Sequence, residues 1–257
     1  MIDFTKLNIT VFGDSVPAGI VFEKDKLQKL PMSCVDIVAK RLHIKNMSNI
    51  SKYGQTWSRL LQKGVVDDYI QHLDTNTNNV AVFFMGGNDS DYEWAEVVKS
   101  PLTYHPEKTP AEKFKTLLND TVQRFQQNNV KVIFCDLTPV MSERYVDTVI
   151  SKLVDKSRVM EFLHNDIENV AKHQELYSSF ITEIATTNHC ELIHVRQGFM
   201  NTRRYDKLMC EDGIHPNKAG HQRIAKIVIK QIKKYIKNHK KRDKNSNDML
   251  VLQKQTI

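Results

Sequence analysis

The chain of 257 residues is 40% hydrophobic and 8% aromatic, which is enough to bury one large core without disulfides or metals. Its formal net charge of +7 is uneven, because residues 226–257 hold ten Lys or Arg against two Asp, while residues 1–225 carry −1. The basic balance therefore gives no reason to expect a nucleic-acid site in the body of the protein. No run approaches the roughly 18 apolar residues of a membrane span.

The first residues lead directly into an apolar run, which leaves no room for the apolar segment of a secretion signal. We therefore expect a cytoplasmic protein. The four cysteines lack the CxxC spacing of many metal and redox sites, and in a reducing compartment we expect free thiols. They are Cys34, Cys135, Cys190 and Cys210.

Short apolar runs alternate with longer helical patterns along the chain. The runs are 7–12, 45–50, 80–85, 130–136 and 190–195, and the helical patterns are 32–43, 56–73, 110–128, 166–187 and 217–238. The polar run 45–50 is typical of an edge strand, whereas the others are apolar enough to be buried on both faces. This alternation predicts a parallel sheet with helices on both faces.

We expect one domain over residues 1–238, followed by a basic, flexible tail over 239–257. Two segments, 89–109 and 138–164, exceed what a minimal alternation needs. Each follows the end of a predicted strand, so both should lie at the carboxyl edge of the sheet, where open α/β folds bind ligands.

Residues 9–19 read ITVFGDSVPAG, an apolar strand that stops at Gly13-Asp14-Ser15. This position places Ser15 at the carboxyl edge, close to a helix N-terminus whose free backbone N–H groups attract anions. A serine here can cap the helix, or it can act as a nucleophile. The segment alone does not decide between the two.

Residues 211–220 read EDGIHPNKAG, with Asp212 three residues before His215 and just ahead of the last predicted helix. A carboxylate at this distance can fold back and accept the far N–H of the imidazole. That contact fixes the tautomer that a base for serine activation needs. The alternative is a helix entry in which Asp212 caps backbone N–H groups and His215 is exposed.

Two further loops follow predicted strands, one around Gly54 in residues 49–56 and one around Asn88 in the stretch 86–89, GGND. Backbone N–H groups near a glycine and a side-chain amide are donors that can bind a developing oxyanion. Gly and Asn are also ordinary turn residues. The four loops share one predicted sheet edge, and each holds a residue type that acyl transfer requires.

In this order the four segments resemble the motifs of the SGNH hydrolases, also called GDSL esterases or lipases. Ser15, Gly54, Asn88 and His215 stand in the four blocks, which span residues 13–216. Val16 replaces the leucine of the family name. The resemblance implies a flavodoxin-like three-layer α/β/α sandwich with a five-stranded parallel sheet, in agreement with the alternation of strands and helices.

The resemblance also implies the roles of the site residues. Ser15 would be the nucleophile, His215 its general base and then the acid for the leaving alcohol, and Asp212 the residue that orients His215. The backbone N–H groups of Ser15 and Gly54 and the side-chain amide of Asn88 would form the oxyanion hole.

Other kinds of site have little support in the sequence. Pro17 stands where a Gly-x-Ser-x-Gly elbow needs glycine. His189, Cys190 and His194 lie along a predicted strand, whose alternation turns Cys190 away from His189. No P-loop and no Gly-x-Gly-x-x-Gly motif is present. We therefore expect no metal and no cofactor.

Three functional classes remain open. We favour a serine-dependent carboxylic ester hydrolase whose partner is a small-molecule ester with a short acyl group, with carbohydrate-linked esters as one candidate. An O-acyltransferase would use the same serine, and a non-catalytic binding module could keep the same fold. We expect no specific nucleic acid; the basic tail is either a solvated lysine face or a weak contact with an anionic surface.

Overall fold

The computed structural model describes residues 4–254, and of these the side chains up to residue 237 apart from Thr5 and Ile236. Five strands form one parallel sheet in the order β4-β1-β5-β6-β7, and β2 and β3 form a separate antiparallel hairpin. The strands are β1 (Leu7–Gly13), β2 (Ile20–Glu23), β3 (Lys26–Lys29), β4 (Asn46–Asn49), β5 (Asn78–Phe84), β6 (Lys131–Cys135) and β7 (Glu191–Ile193). The predicted five-stranded sheet is confirmed, with the polar strand β4 at its edge.

The apolar strands are continuous in sequence because both faces of the sheet are covered. In β1, Ile9 and Val11 point to one face and Phe12 to the other, and all three are buried. In β5, Phe83 joins Phe12, while Phe84 lies with Val11. This alternation at a period of two residues divides the core into two layers.

Helices cover both faces and complete the α/β/α sandwich. Residues of α3, α4, α6 and α9 pack against the face that carries Phe12, and residues of α2, α10 and α11 against the face that carries Val11. The helices are α1 (Ser15–Ala18), α2 (Cys34–Leu42), α3 (Trp57–Gln62), α4 (Val65–Gln71), α5 (Trp94–Val97), α6 (Ala111–Gln127), α7 (Ser142–Thr148), α8 (Lys156–Phe162), α9 (Asn169–Thr187), α10 (Val195–Met200) and α11 (Lys218–Lys254).

The helix predicted over 56–73 is wrong in one respect, because the chain forms α3 and α4 instead of a single helix. Gly64 lies between them with a φ of +64°, and its N–H bonds back to the carbonyl of Leu61. Glycine adopts this left-handed conformation without strain. The apolar periodicity continues through the break, so periodicity alone did not reveal it.

The two extra segments pack against each other. Trp94 and Val97 from residues 89–109 share an apolar cluster with Tyr145, Val146 and Val159 from residues 138–164. The two segments therefore form one additional apolar unit, which contains the short helices α5, α7 and α8.

The last helix extends beyond the predicted range 217–238 and reaches Lys254. The tail predicted at 239–257 has side chains that lie outside the described residues, so its flexibility and its surface contacts stay predictions. Among the helices of residues 4–254, none combines the length and the apolar character that crossing a membrane requires.

The aromatic packing around Phe83 predicts a large cost for its removal. Its ring lies 4.7 Å from that of Trp57 and 4.9 Å from that of Phe12, centroid to centroid. We expect Phe83→Ala to lower the free energy of unfolding in urea by about 3–5 kcal/mol, because it leaves a cavity in a rigid core. Tyr104→Ala, at a side chain that is 81% exposed, should change it by less than about 0.5 kcal/mol. Equal effects would contradict this account of the core.

Candidate active site

Ser15 is the first residue of α1, immediately after β1. Asp14 caps this helix, since its Oδ1 accepts the N–H of Val16 at 3.0 Å. The turn is tight at Gly13, where a Cβ would lie only 2.9 Å from the carbonyl oxygen of Phe84 and 2.1 Å from Pro17. Glycine is therefore required for the chain to leave the strand at this angle and carry Ser15 to the sheet edge.

The structure brings Ser15 and His215 together although they are 200 positions apart. Nε2 of His215 lies 2.9 Å from Oγ of Ser15, and Nδ1 lies 2.5 Å from Oδ2 of Asp212. Because an ionised carboxylate only accepts hydrogen bonds, Nδ1–H donates to Asp212 and Nε2 accepts from the Ser15 hydroxyl. Asp212 and His215 are almost fully buried, so the bond between them is shielded from bulk solvent.

Asp212 also organises its own loop. Its Oδ1 accepts the backbone N–H groups of Ile214 and His215 at 3.2 and 3.1 Å. The predicted alternative, in which Asp212 caps backbone groups, thus occurs together with the contact to the imidazole. One carboxylate fixes both the backbone and the ring of His215.

The 138–164 segment supports the His215 loop from outside, which the sequence did not reveal. Met141 N–H donates to the carbonyl of Gly213 at 2.9 Å, and Nη1 of Arg144 donates to the carbonyls of Asp206 and Cys210 at 3.1 and 3.2 Å. Gly213 has a φ of +72°, and a Cβ there would lie 2.5 Å from the carbonyl of Met141. This close approach explains the glycine after Asp212.

The loops that carry Gly54 and Asn88 are joined to each other. Nδ2 of Asn88 donates one hydrogen to the carbonyl of Gln55 at 3.0 Å, which leaves its second hydrogen free of that contact. On the other side of Gly54, the ring of Tyr53 stacks on His215 at a centroid distance of 6.3 Å. Gly54 thus lies in the chain between Tyr53, which stacks on His215, and Gln55, which binds Asn88, but it does not itself line the cavity beside Ser15.

A buried carboxyl, Asp89, strengthens this junction. Its Oδ1 accepts the N–H of Trp57, the first residue of α3, at 2.9 Å, and its carbonyl accepts the N–H of Thr109 at 3.1 Å. Burial raises the pKa of Asp89 to about 8, against the lowering effect of hydrogen bonds from Thr109 and Trp57. Asp89 is therefore largely protonated at neutral pH.

Asp14 is a further buried carboxyl near Ser15. Burial raises its pKa to about 6, and the hydrogen bond from the Val16 N–H and the electrostatic effect of nearby His215 oppose that rise. Its hydrogen bond to Val16 keeps it in the turn below Ser15, whereas Asp212 contacts the imidazole. Asp14 therefore lacks the contact with the imidazole that Asp212 makes.

A cavity of about 110 Å³ opens beside Ser15 and is also lined by His215, Asn88 and Tyr53. The two extra segments contribute much of its wall through Tyr92, Trp94, Val140, Tyr145 and Leu163. Their expected position at the carboxyl edge is therefore confirmed. Tyr92 and Trp94 pack in an edge-to-face arrangement with Phe162, and Tyr104 points into solvent.

A larger cavity, of about 1480 Å³, lies beside α11 on the face of the sheet that carries Val11. Neither Ser15 nor His215 lines it. We place the candidate active site in the smaller cavity because the reactive groups converge there. In the part of the chain whose side chains are described, no group of three or more His, Cys, Asp or Glu residues is arranged to hold a metal ion.

This arrangement defines the class of protein. A hydroxyl hydrogen-bonded to an imidazole, which is in turn held by a buried carboxylate, is the constellation of the serine hydrolases. The chain belongs to the GDSL-like lipase/acylhydrolase family, whose model matches residues 11–223. It is therefore an SGNH-type serine hydrolase, an esterase or acylhydrolase.

Solved structures support the fold. A lipase/acylhydrolase from Enterococcus faecalis is 17% identical, with a TM-score of 0.61 over 89% of this chain and 96% of that one. A variant of Axe2, an acetyl xylan esterase from Geobacillus stearothermophilus, is 14% identical, with a TM-score of 0.58 over 88% and 93%. The psychrotrophic esterase EstA from Pseudoalteromonas sp. is 16% identical, with a TM-score of 0.56 over 90% and 98%. No curated protein sequence matches this chain.

The raised pKa of Asp89 predicts a pH-dependent stability. Between its usual pKa of 3.8 and its folded pKa of about 8, the folded protein retains a proton that the unfolded chain releases, so rising pH lowers the free energy of unfolding. Asp89→Asn keeps an oxygen for the Trp57 N–H and removes the titration. We expect this variant to become progressively more stable, relative to the parent protein, from pH 5 to pH 8 in urea unfolding.

The exposed Asp120→Asn variant is the control, and its difference from the parent protein should not vary with pH. Parallel pH profiles of the parent protein and the Asp89→Asn variant would contradict the assignment of a buried, protonated carboxyl.

Proposed function

We propose that the protein hydrolyses carboxylic esters with short acyl groups, using Ser15 as the nucleophile. The observation that carries this proposal is the continuous chain of hydrogen bonds from Ser15 Oγ through His215 to Asp212. In this chain His215 takes the hydroxyl proton as Ser15 attacks the ester carbonyl, and Asp212 stabilises the imidazolium that forms. His215 then returns the proton to the leaving alcohol.

The second half of the reaction uses the same groups. Water enters when the alcohol has left, His215 removes one of its protons, and the resulting hydroxide attacks the acyl carbon bound to Ser15. The acid is released, and the proton returns through His215 to Ser15. Each half of the reaction thus adds a nucleophile to the carbonyl carbon and then expels a leaving group by breaking its C–O bond, and His215 carries the proton in both halves.

The oxyanion of each tetrahedral intermediate needs donors, and we propose the N–H groups of Ser15 and Gly54 and the side chain of Asn88. Asn88 lines the cavity with Ser15 and has one amide hydrogen beyond its bond to Gln55. The bond to Gln55 fixes the amide before substrate binds, which is the preorganisation that makes such donors effective.

The short acyl group follows from the size of the cavity. Its volume of about 110 Å³ is well below the roughly 300–1,000 Å³ of pockets that hold drug-sized ligands. Carbohydrate-linked acetyl esters are the candidate that the surroundings favour, because the ring of Tyr53 is 60% exposed beside His215 and could stack on a sugar. One structural relative, Axe2, is an acetyl xylan esterase.

Loss of individual site groups tests the proposed roles. With p-nitrophenyl acetate we expect Ser15→Ala to abolish turnover, because it removes the hydroxyl that His215 activates. Asn88→Ala should lower kcat by about 100- to 1000-fold through the lost donor. Ser179→Ala, an exposed serine on α9, is the matched control and should retain full activity. Substantial turnover by Ser15→Ala would exclude Ser15 as the nucleophile.

A series of p-nitrophenyl esters tests the acyl length. We expect kcat/KM to fall by about tenfold or more between butyrate and octanoate, since an overfilled pocket loses binding energy in the transition state. Val140→Ala, which widens the cavity, should move the optimum to longer chains. Val154→Ala, in the same segment but outside the cavity wall, should leave the optimum in place. A rate that rises steadily to octanoate would rule out the short acyl group.

A further inference from the structure

The cavity beside Ser15 contains a second histidine that the proposed reaction does not use. His173, on α9, lines the same cavity as Ser15 and His215. Its Nε2 lies 3.1 Å from Oε1 of Glu107, and its ring stacks on Tyr92 at a centroid distance of 5.2 Å. A carboxylate therefore lies close to this imidazole, although without the hydrogen bond that joins Asp212 to His215.

Two other polar side chains of this wall, Asp91 and Gln174, are already engaged in hydrogen bonds. Asp91 accepts from Trp94 Nε1, from Lys108 Nζ and from the Tyr145 hydroxyl. Gln174 donates to the Thr138 carbonyl and accepts from Arg196. By contrast, Nε2 of His173 is buried without a hydrogen bond in the described part of the chain, with Glu107 at 3.1 Å.

The contact with Glu107 determines what His173 can offer a ligand. A carboxylate only accepts, so it favours the tautomer with the hydrogen on Nε2, which leaves Nδ1 as an acceptor. Burial lowers the pKa of His173, although Glu107 opposes that shift, so the neutral ring dominates near pH 7. Glu107 and Asp91 nearby disfavour an anionic ligand. A neutral donor, a hydroxyl group, fits this site.

We propose that His173 is a specificity-determining residue, which accepts a hydrogen bond from a hydroxyl group of the bound ester. The inference rests on the proposed function, because it takes the cavity to be where the ester binds. The hydroxyl can belong to the alcohol part, as in a sugar or polyol ester, or to the acyl part, as in a hydroxyacyl ester. His173 thereby discriminates between hydroxylated and alkyl esters in an otherwise mainly apolar pocket.

Binding to the Ser15→Ala variant tests this without requiring turnover. Two matched pairs of esters differ by hydroxylation of one part: glycerol monoacetate with propyl acetate, and ethyl 3-hydroxybutyrate with ethyl butyrate. Titration by NMR gives the Kd of each ester, and for each pair we take the Kd of the alkyl ester divided by the Kd of the hydroxylated ester. Adding His173→Phe, which keeps a ring against Tyr92, should lower this ratio by about 3- to 10-fold in one pair, the usual effect of one hydrogen bond.

The pair that responds identifies the part of the ester that carries the hydroxyl. His173→Gln in the same background keeps an acceptor oxygen and should retain more of the preference than His173→Phe. His194→Phe is the matched control, because His194 also faces a carboxylate, at 3.6 Å from Asp136, but does not line this cavity. It should leave both ratios unchanged.

An unchanged ratio in both pairs for a folded His173→Phe variant overturns the proposal, and so does a failure of all four esters to bind. Ester hydrolysis by the parent protein is a separate measurement. Binding with the expected preference, but without any hydrolysis by the parent protein, would reject the proposed function and leave the assignment of His173 standing.

Discussion

The hydrogen bond between Ser15 and His215 depends on the parallel sheet. Both residues lie at its carboxyl edge, Ser15 at the start of α1 just beyond β1 and His215 in the loop ahead of α11, and 200 positions of chain separate them. Parallel strands with crossover helices bring such loops to a common edge. The contact therefore forms only when the whole sandwich is folded. The rigid core around Phe83 keeps the strands, and with them Ser15 and His215, in fixed positions.

Around that contact, several polar side chains bind the loops to one another. Asp212 serves three donors, Asn88 is tied to Gln55, and Asp89 connects the start of α3 to Thr109. These bonds fix the loops before substrate arrives, so little reorganisation is needed during reaction. The buried carboxyl of Asp89 lowers stability as pH rises, which is a cost that the folded core must offset.

The sequence predicted the sheet and its edge strand, because apolar runs are local signals. It predicted the meeting of Ser15 with His215 from the common sheet edge of their loops and from the resemblance to the SGNH hydrolases. It did not predict the break at Gly64, since apolar periodicity continues across it. The anchors Met141 and Arg144, and the placement of His173 beside Ser15, were also out of reach. They depend on contacts between distant parts of the chain, and no local pattern encodes those contacts.

The attachment of α7 to the histidine loop has an evolutionary consequence. Residues 140–145 form part of the cavity wall through Val140 and Tyr145. The same residues bind the histidine loop, because Met141 donates to the carbonyl of Gly213 and Arg144 donates to backbone carbonyls just before Asp212. Insertions or deletions there would displace the base together with the wall. New selectivity should therefore arise more readily by substitution in the 89–109 stretch, because among the described residues its wall side chains Tyr92 and Trp94 make no hydrogen bond to the histidine loop.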